Sequence, residues 1–127
     1  MQDHIQEPEY MGQLMGIREE LESRISSYPQ NCSHIASRIL AKTLGLKQKA
    51  GRYAPEDRPH AWNYDPELGL YIDLSLDSFD SHDEKISILP ATTPVLKEDS
   101  FSTHRQLELS DHLIYDNGLM IILERYS

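Results

Sequence analysis

The first part of the chain carries apolar residues at helical spacing. Over residues 10–27 the apolar positions recur every three or four residues with glutamates and arginines between them, which predicts an amphipathic helix. Pro29 disfavours helical geometry at Tyr28, so the helix is expected to end just before them. Residues 1–9 are polar and contain Pro8, and we expect them to form a flexible arm.

A second helical pattern follows almost at once. Asn31 or Ser33 is expected to be the N-cap, and Gly45 is a natural C-terminal stop. The apolar stripe of this helix consists of Ile35, Ala36, Ile39, Leu40 and Leu44. Residues 47–59 are basic and contain one glycine and two prolines, which predicts a loop.

The hydrophobic period then shortens to two residues, which is typical of strands. Residues 60–64 and 70–76 alternate in polarity, and the stretch Asp65–Gly69 between them has turn chemistry. The simplest interpretation is a β-hairpin. The acidic stretch that follows, residues 73–84, is interpreted as a solvated loop, with a cation site as the alternative.

Further strands are predicted over residues 85–89, 106–109 and 118–124, with a loop over 90–103. Helices followed by sequentially connected strands predict an α+β fold, with N-terminal helices packed on a mostly antiparallel sheet. At 127 residues the chain is expected to form a single domain.

Composition excludes several classes of function. Twelve basic residues against twenty-one acidic ones give a formal charge of -9, which argues against a nucleic-acid partner. No apolar run approaches the roughly 20 residues of a membrane-spanning helix, and the amino terminus lacks the order of a secretory signal. We therefore expect a cytoplasmic protein with no membrane partner. The single cysteine excludes an internal disulfide.

That cysteine, Cys32, lies where a helix begins. A helix N-terminus favours the thiolate over the thiol, and its backbone N–H groups can stabilise an oxyanion at an attacked carbonyl. The spacing also places Cys32 on the apolar face of its helix. These features indicate a nucleophile, although a lone cysteine on an apolar face is more often a small core residue.

Two further residues complete a candidate site. His60, at a strand start, is the candidate general base, and Asp73, on the next strand, is the candidate orienting carboxylate. A tight hairpin centred near Pro66 and Glu67 places His60 directly opposite Asp73. A bulged turn would shift that register by one residue and separate them.

Three motifs in this region resemble those of the transglutaminase-like group within the papain-like cysteine-enzyme superfamily: Asn31-Cys32-Ser33 opening a helix, His60-Ala61-Trp62-Asn63 on a strand, and Tyr71-Ile72-Asp73-Leu74-Ser75 followed by Phe79. The resemblance covers roughly residues 30–80. It implies a Cys-His-Asp triad on a helix packed against an antiparallel sheet, acting on amide or thioester carbonyls. We expect no cofactor and no metal. By position, Cys32 matches the nucleophile, His60 the base and Asp73 the orienting carboxylate.

The resemblance implies a hydrolase or acyl-transferase acting on a peptide or glutamine side-chain amide of a protein or peptide substrate. Protease, deamidase and transamidase remain open. No counterpart of a side-chain oxyanion donor stands out, and Gln30 and Asn31 are candidates by proximity. Trp62 shares the face of His60 by alternation, where it either packs under the site or fills core.

Two other functional interpretations remain. The first is a non-catalytic binding module that keeps the fold and holds a peptide in the cleft. The second is a metal site built from histidines with Asp80, Asp83 and Glu84, but no two of the histidines have the i, i+4 spacing of a helical ligand set with a partnering glutamate. The histidines concerned are His34, His82, His104 and His112.

Overall fold

The computed structural model describes residues 7–99, which form two helices and a five-stranded antiparallel sheet. The α+β class predicted from the pattern is thus confirmed. Along the sheet the strand order is β4-β3-β2-β1-β5. In chain order the elements are α1 (Met11–Arg24), α2 (Ser33–Leu44), β1 (Lys47–Tyr53), β2 (Arg58–Asp65), β3 (Leu70–Asp73), β4 (Ser87–Pro90) and β5 (Leu96–Glu98).

Both predicted helices are present. α1 ends at Arg24, three residues before the predicted end. At its start, the amide of Met11 donates a hydrogen bond to the carbonyl oxygen of Pro8. α2 ends at Leu44, and the predicted stop Gly45 is its C-cap, in the left-handed conformation with φ of 70°. Its N-cap is Cys32, and no side chain caps this end, so the predicted caps are wrong.

The loop predicted over residues 47–59 is wrong over most of its length, because residues 47–53 form β1 and residues 58–59 begin β2. β1 lies between β2 and β5 and hydrogen-bonds to both. At Gly51 the neighbouring strand passes so close that an added Cβ would lie 1.9 Å from the carbonyl oxygen of Lys97. The glycine that suggests a loop in the sequence is therefore what lets two strands approach here.

The predicted hairpin is confirmed, but its second strand ends at Asp73, three residues before the predicted end, and its register differs from the expected one. Asn63 pairs with Ile72 and Asp65 pairs with Leu70, which leaves a four-residue turn instead of a tight one. The Asp65 carboxylate accepts hydrogen bonds from the amides of Glu67 and Leu68, and this Asx-type turn sets the longer loop. The register is displaced by two residues.

The strand predicted over residues 85–89 corresponds to β4, which begins two residues later and ends one residue later than predicted. The loop predicted over 90–103 contains β5. The strands predicted over 106–109 and 118–124 lie outside the described residues, as do residues 1–6 of the predicted arm.

None of the helices within residues 7–99 has both the length and the apolar character needed to span a membrane.

Two apolar clusters form the core. The larger one is formed by the inner faces of both helices with Leu46, Leu70, Ile72 and Leu74. The smaller one contains Tyr53, Trp62, Leu76, Phe79 and Leu96. Because side chains alternate along a strand, β2 contributes Ala61 and Asn63 to one side of the sheet and His60 and Trp62 to the other.

Candidate active site

Cys32 lies at the start of α2 in the larger apolar cluster, as its predicted position on the helix requires. Its side chain is 0% exposed. The Sγ atom donates a hydrogen bond to the carbonyl oxygen of Gln30 at 3.1 Å, and the Cys32 amide donates to the carbonyl of Pro29 at 3.3 Å. The thiol is thus held at the helix N-terminus within a tight turn.

His60 and Asp73 form a direct pair. The Nε2 atom of His60 lies 2.7 Å from Oδ2 of Asp73, and both side chains are at most 2% exposed. Continuing the observed register would place Trp62, not His60, opposite Asp73, so the two partners are diagonal neighbours. A shift of two residues keeps every side chain on its original face, and a diagonal pair remains within reach of long side chains.

The pairing atom fixes the chemistry of the imidazole. An ionised carboxylate can only accept hydrogen bonds, so Nε2 of His60 donates to Asp73. In the neutral ring the other nitrogen, Nδ1, then carries the lone pair and is the basic atom. Any proton that His60 takes up must therefore be bound at Nδ1.

Ser75 holds the Asp73 carboxylate from the other side. The Oδ1 atom accepts a hydrogen bond from the Ser75 amide at 2.8 Å and from the Ser75 hydroxyl at 3.3 Å. The sequence motif contained Ser75 but gave it no role. The Asp-x-Ser spacing is a signal for this arrangement, because aspartate side chains commonly accept from the amide two residues ahead.

The helix that carries Cys32 is joined to the strand that carries His60. The hydroxyl of Ser33 accepts a hydrogen bond from the amide of Ala61 at 3.2 Å, and both residues are buried. Because Ser33 follows Cys32 and Ala61 follows His60, this bond brings together the backbones on which the nucleophile and base candidates lie. No feature of the sequence had indicated a role for Ser33 beyond capping.

Aromatic rings enclose the imidazole. The His60 ring is nearly parallel to that of Trp62 at 6.4 Å between centroids and meets the Phe79 ring edge-on at 5.1 Å. Phe79 in turn stacks on Tyr53 at 3.9 Å. Trp62 lies on the His60 face as predicted and is buried in the core. Its Nε1 has no hydrogen-bond partner in the part of the chain described.

A buried arginine organises the segment that follows Asp73. Arg18 of α1 donates to the carbonyl oxygens of Leu74 and Lys85 and to both carboxylate oxygens of Asp77. Desolvation opposes the charge on Arg18, but the hydrogen bonds to Asp77 prevail and raise the pKa of the guanidinium. The acidic stretch predicted as a solvated loop is thus anchored to the core in two places, at Asp73 and at Asp77.

Of the two side-chain oxyanion donors suggested by proximity, Gln30 is bound elsewhere and Asn31 is exposed. The amide nitrogen of Gln30 donates to the carbonyl oxygen of Ser78 at 3.0 Å, and the side chain of Asn31 is exposed. The backbone N–H groups in the first turn of α2 have no acceptor within the helix itself, and they are the remaining candidate donors because the turn begins directly after Cys32.

The histidines considered as metal ligands form no metal-binding cluster within residues 7–99. His34 is buried in α2, and His82 packs edge-on against Tyr53 at 5.4 Å. His104 and His112 lie outside the described residues. Among residues 7–99 no group of three His, Cys, Asp or Glu side chains is placed to hold a metal ion.

Comparison with known proteins gives no relative on which to base an assignment. No protein-family model matches the chain, and no curated protein or solved structure shows significant similarity to it.

Proposed function

We propose that this chain is a cysteine-dependent hydrolase or acyl-transferase of papain-like, transglutaminase-like type, acting on a peptide or glutamine side-chain amide. The observation that carries the proposal is the buried bond between His60 and Asp73, which leaves the basic nitrogen of His60 for proton transfer. The bond between Ser33 and Ala61 supports it, because it ties the Cys32 helix to the His60 strand.

The first half-reaction forms an acyl-enzyme. Nδ1 of His60 takes the thiol proton, and the Cys32 thiolate attacks the amide carbonyl carbon, forming a C–S bond and an oxyanion. Amides at the N-terminus of α2 stabilise that oxyanion. The tetrahedral intermediate collapses with cleavage of the C–N bond, and the His60 imidazolium gives its proton to the leaving nitrogen. Asp73 stabilises the imidazolium throughout.

The second half-reaction releases the acyl group. Water or an amine loses a proton to Nδ1 of His60 as it attacks the thioester carbonyl, and the Cys32 sulfur leaves and regains that proton. Water gives proteolysis when the acyl group belongs to the main chain and deamidation when it belongs to glutamine. An amine gives transamidation. The same three side chains serve all three outcomes.

The experiment that tests the proposal is intact-mass analysis of candidate protein substrates after incubation with the purified chain, with and without a primary amine. Deamidation adds about one mass unit, transamidation adds the amine, and proteolysis produces fragments. Cys32→Ala is the matched control, since it removes the nucleophile and leaves a small apolar side chain. A mass change that persists with Cys32→Ala contradicts the proposal.

A second candidate function is a non-catalytic module that binds a peptide. The specific observation in its favour is the complete burial of Cys32, which is also typical of a cysteine that only fills core. Alkylation by iodoacetamide separates the two candidates. An activated Cys32 reacts faster than the amino acid cysteine at pH of about 6, whereas a core cysteine reacts only as the protein unfolds.

A further inference from the structure

A groove unrelated to the candidate triad runs beside α1. It has a volume of about 510 Å³ and lies between the outer side of the helix and the segment around residue 85. The apolar part of its lining is formed by Met11, Met15 and Ile86. The rim carries the exposed carboxylates of Glu7, Glu19 and Glu84.

The sequence of α1 explains why methionines line the groove, where Met11 is partly buried against the larger apolar cluster and Met15 is exposed. Leu14, Ile17 and Leu21 form one stripe, which is fully buried in the larger apolar cluster. Met11 and Met15 belong to a second stripe, and Met15 remains 53% exposed, one of two exposed large apolar side chains within residues 7–99. Methionine is flexible and polarisable, which suits it to contact partners of irregular shape.

Among the lining residues within 7–99, the two cations are already paired with carboxylates, so the electrostatic potential of this part of the groove is negative. Arg18 is bound by Glu22 and Asp77, and Lys85 lies 3.1 Å from Glu22. By contrast, the ion pairs formed within residues 7–99 do not include Glu7, Glu19 or Glu84. These three carboxylates therefore present uncompensated charge around an apolar floor.

We propose that this groove is a docking site for a basic amphipathic segment of a partner protein. Apolar side chains of that segment would cover Met11, Met15 and Ile86, and its lysines or arginines would meet the three rim carboxylates. The stretch of α1 from Met11 to Glu22 spans about 16 Å, which corresponds to about three turns of a bound helix. A helix laid in an apolar groove is a common mode of peptide recognition.

Electrostatic complementarity favours a basic peptide over the other possible occupants of the groove. A second copy of the chain carries the same acidic rim and the same formal charge of -9, so the two would repel each other. Nucleic acids and anionic membranes are disfavoured for the same reason. The groove does not involve Cys32, His60 or Asp73, so this inference stands independently of the proposed enzyme activity.

The test is fluorescence anisotropy with a labelled synthetic peptide of about 14 residues, made of leucine, lysine and alanine with one leucine face flanked by lysines. Two control peptides are a scrambled version of the same composition and a version with glutamate in place of lysine. We expect saturable binding of the first peptide with a Kd of about 10 μM, weakening as salt is added, and no saturable binding of the controls.

Variants of the protein localise the binding. Met15→Ser is expected to weaken binding at least about 10-fold, and Glu19→Gln combined with Glu84→Gln about 5-fold. Leu68→Ser, which removes the other exposed apolar side chain, and Cys32→Ala should bind like wild type. The rim variant provides a second measurement if Met15→Ser proves unstable.

Three results would overturn the proposal. One is equal binding of the designed and scrambled peptides, which would indicate attraction by net charge alone. Another is unchanged affinity in both groove variants. The third is dimerisation in sedimentation velocity that Met15→Ser abolishes, without binding of the peptide, which would assign the groove to self-association.

Discussion

The hydroxyl of Tyr28 donates a hydrogen bond of 2.6 Å to the carbonyl oxygen of Leu74, the residue that follows Asp73. The same carbonyl accepts from Arg18 at 2.7 Å, and the guanidinium lies over the Tyr28 ring at 4.7 Å. Because Tyr28 lies four residues before Cys32, this bond connects the turn that leads to the nucleophile candidate with the strand end that carries the carboxylate.

Tyr28→Phe is expected to reduce the alkaline sensitivity of the fold. Burial, together with the charges at Asp73 and Cys32, raises the pKa of Tyr28 well above 10.0 against an opposing effect of Arg18. The unfolded chain therefore releases the phenol proton first, and stability is lost as pH rises above about 10. The free energy of unfolding by urea, compared at pH values of about 9 and 11, should fall more in wild type than in Tyr28→Phe.

Tyr64→Phe is the matched control for that measurement, since its hydroxyl makes no hydrogen bond within residues 7–99 and its ring packs against Tyr71 at 5.8 Å. An equal alkaline loss in wild type and Tyr28→Phe would show that the Tyr28 hydroxyl does not contribute.

Asp73→Asn is expected to lower turnover at least about 10-fold, because the amide cannot stabilise the imidazolium of His60. The rate of Cys32 alkylation at pH of about 6 should fall with it, which gives a measurement that needs no substrate. The control is Asp80→Asn, at an exposed position of the same acidic stretch. Asp77→Asn is unsuitable, since Asp77 binds Arg18. Wild-type rates in Asp73→Asn would remove its orienting role.

His60→Ala is expected to abolish turnover and also to destabilise the fold. The imidazole is 2% exposed and contacts Trp62 and Phe79, and its loss leaves the Asp73 carboxylate buried without its partner. Breaking such a pair lowers the free energy of unfolding by about 3 kcal/mol, which urea unfolding can measure.

The double variant His60→Gln with Asp73→Asn restores a neutral pair. It should recover stability but not turnover, and recovered turnover would exclude His60 as the base.

Gly51→Ala is expected to detach β5 from β1. The new Cβ would lie 1.9 Å from the carbonyl oxygen of Lys97, and backbone on both strands would have to move. We expect a loss of about 3 kcal/mol or more in the free energy of unfolding. Gly12→Ala is the control, because its Cβ meets nothing within 4 Å in α1, and it should stabilise by about 0.5 kcal/mol. Similar effects of the two substitutions would contradict the close approach.

The sequence by itself determined the elements whose signals are local. The apolar stripe that contains Ile35 and Ile39, and the glycine stop at Gly45, were sufficient for α2. Strict alternation was sufficient for β2. These predictions succeeded because helix periodicity, left-handed glycine caps and strand alternation each depend on residues within a few positions of one another.

The sequence also predicted the residues of the candidate site, and the structure brings two of them, His60 and Asp73, into direct contact. Cys32 was predicted at a helix start, and His60 and Asp73 were predicted on one face of a hairpin. The prediction that His60 and Asp73 share a face held although the predicted strand register was wrong. A displacement of two residues leaves each side chain on the same side of the sheet. The roles in catalysis remain predictions for the experiments described.

Tertiary structure alone decided how the site is held. The strand β1 forms from a stretch with loop composition because two neighbouring strands supply its hydrogen bonds. The contacts of Ser33 with Ala61 and of Tyr28 and Arg18 with Leu74 join residues far apart in the chain. Such contacts follow from how the elements pack, and no periodicity within one segment encodes them, so only the folded chain brings these donors and acceptors together.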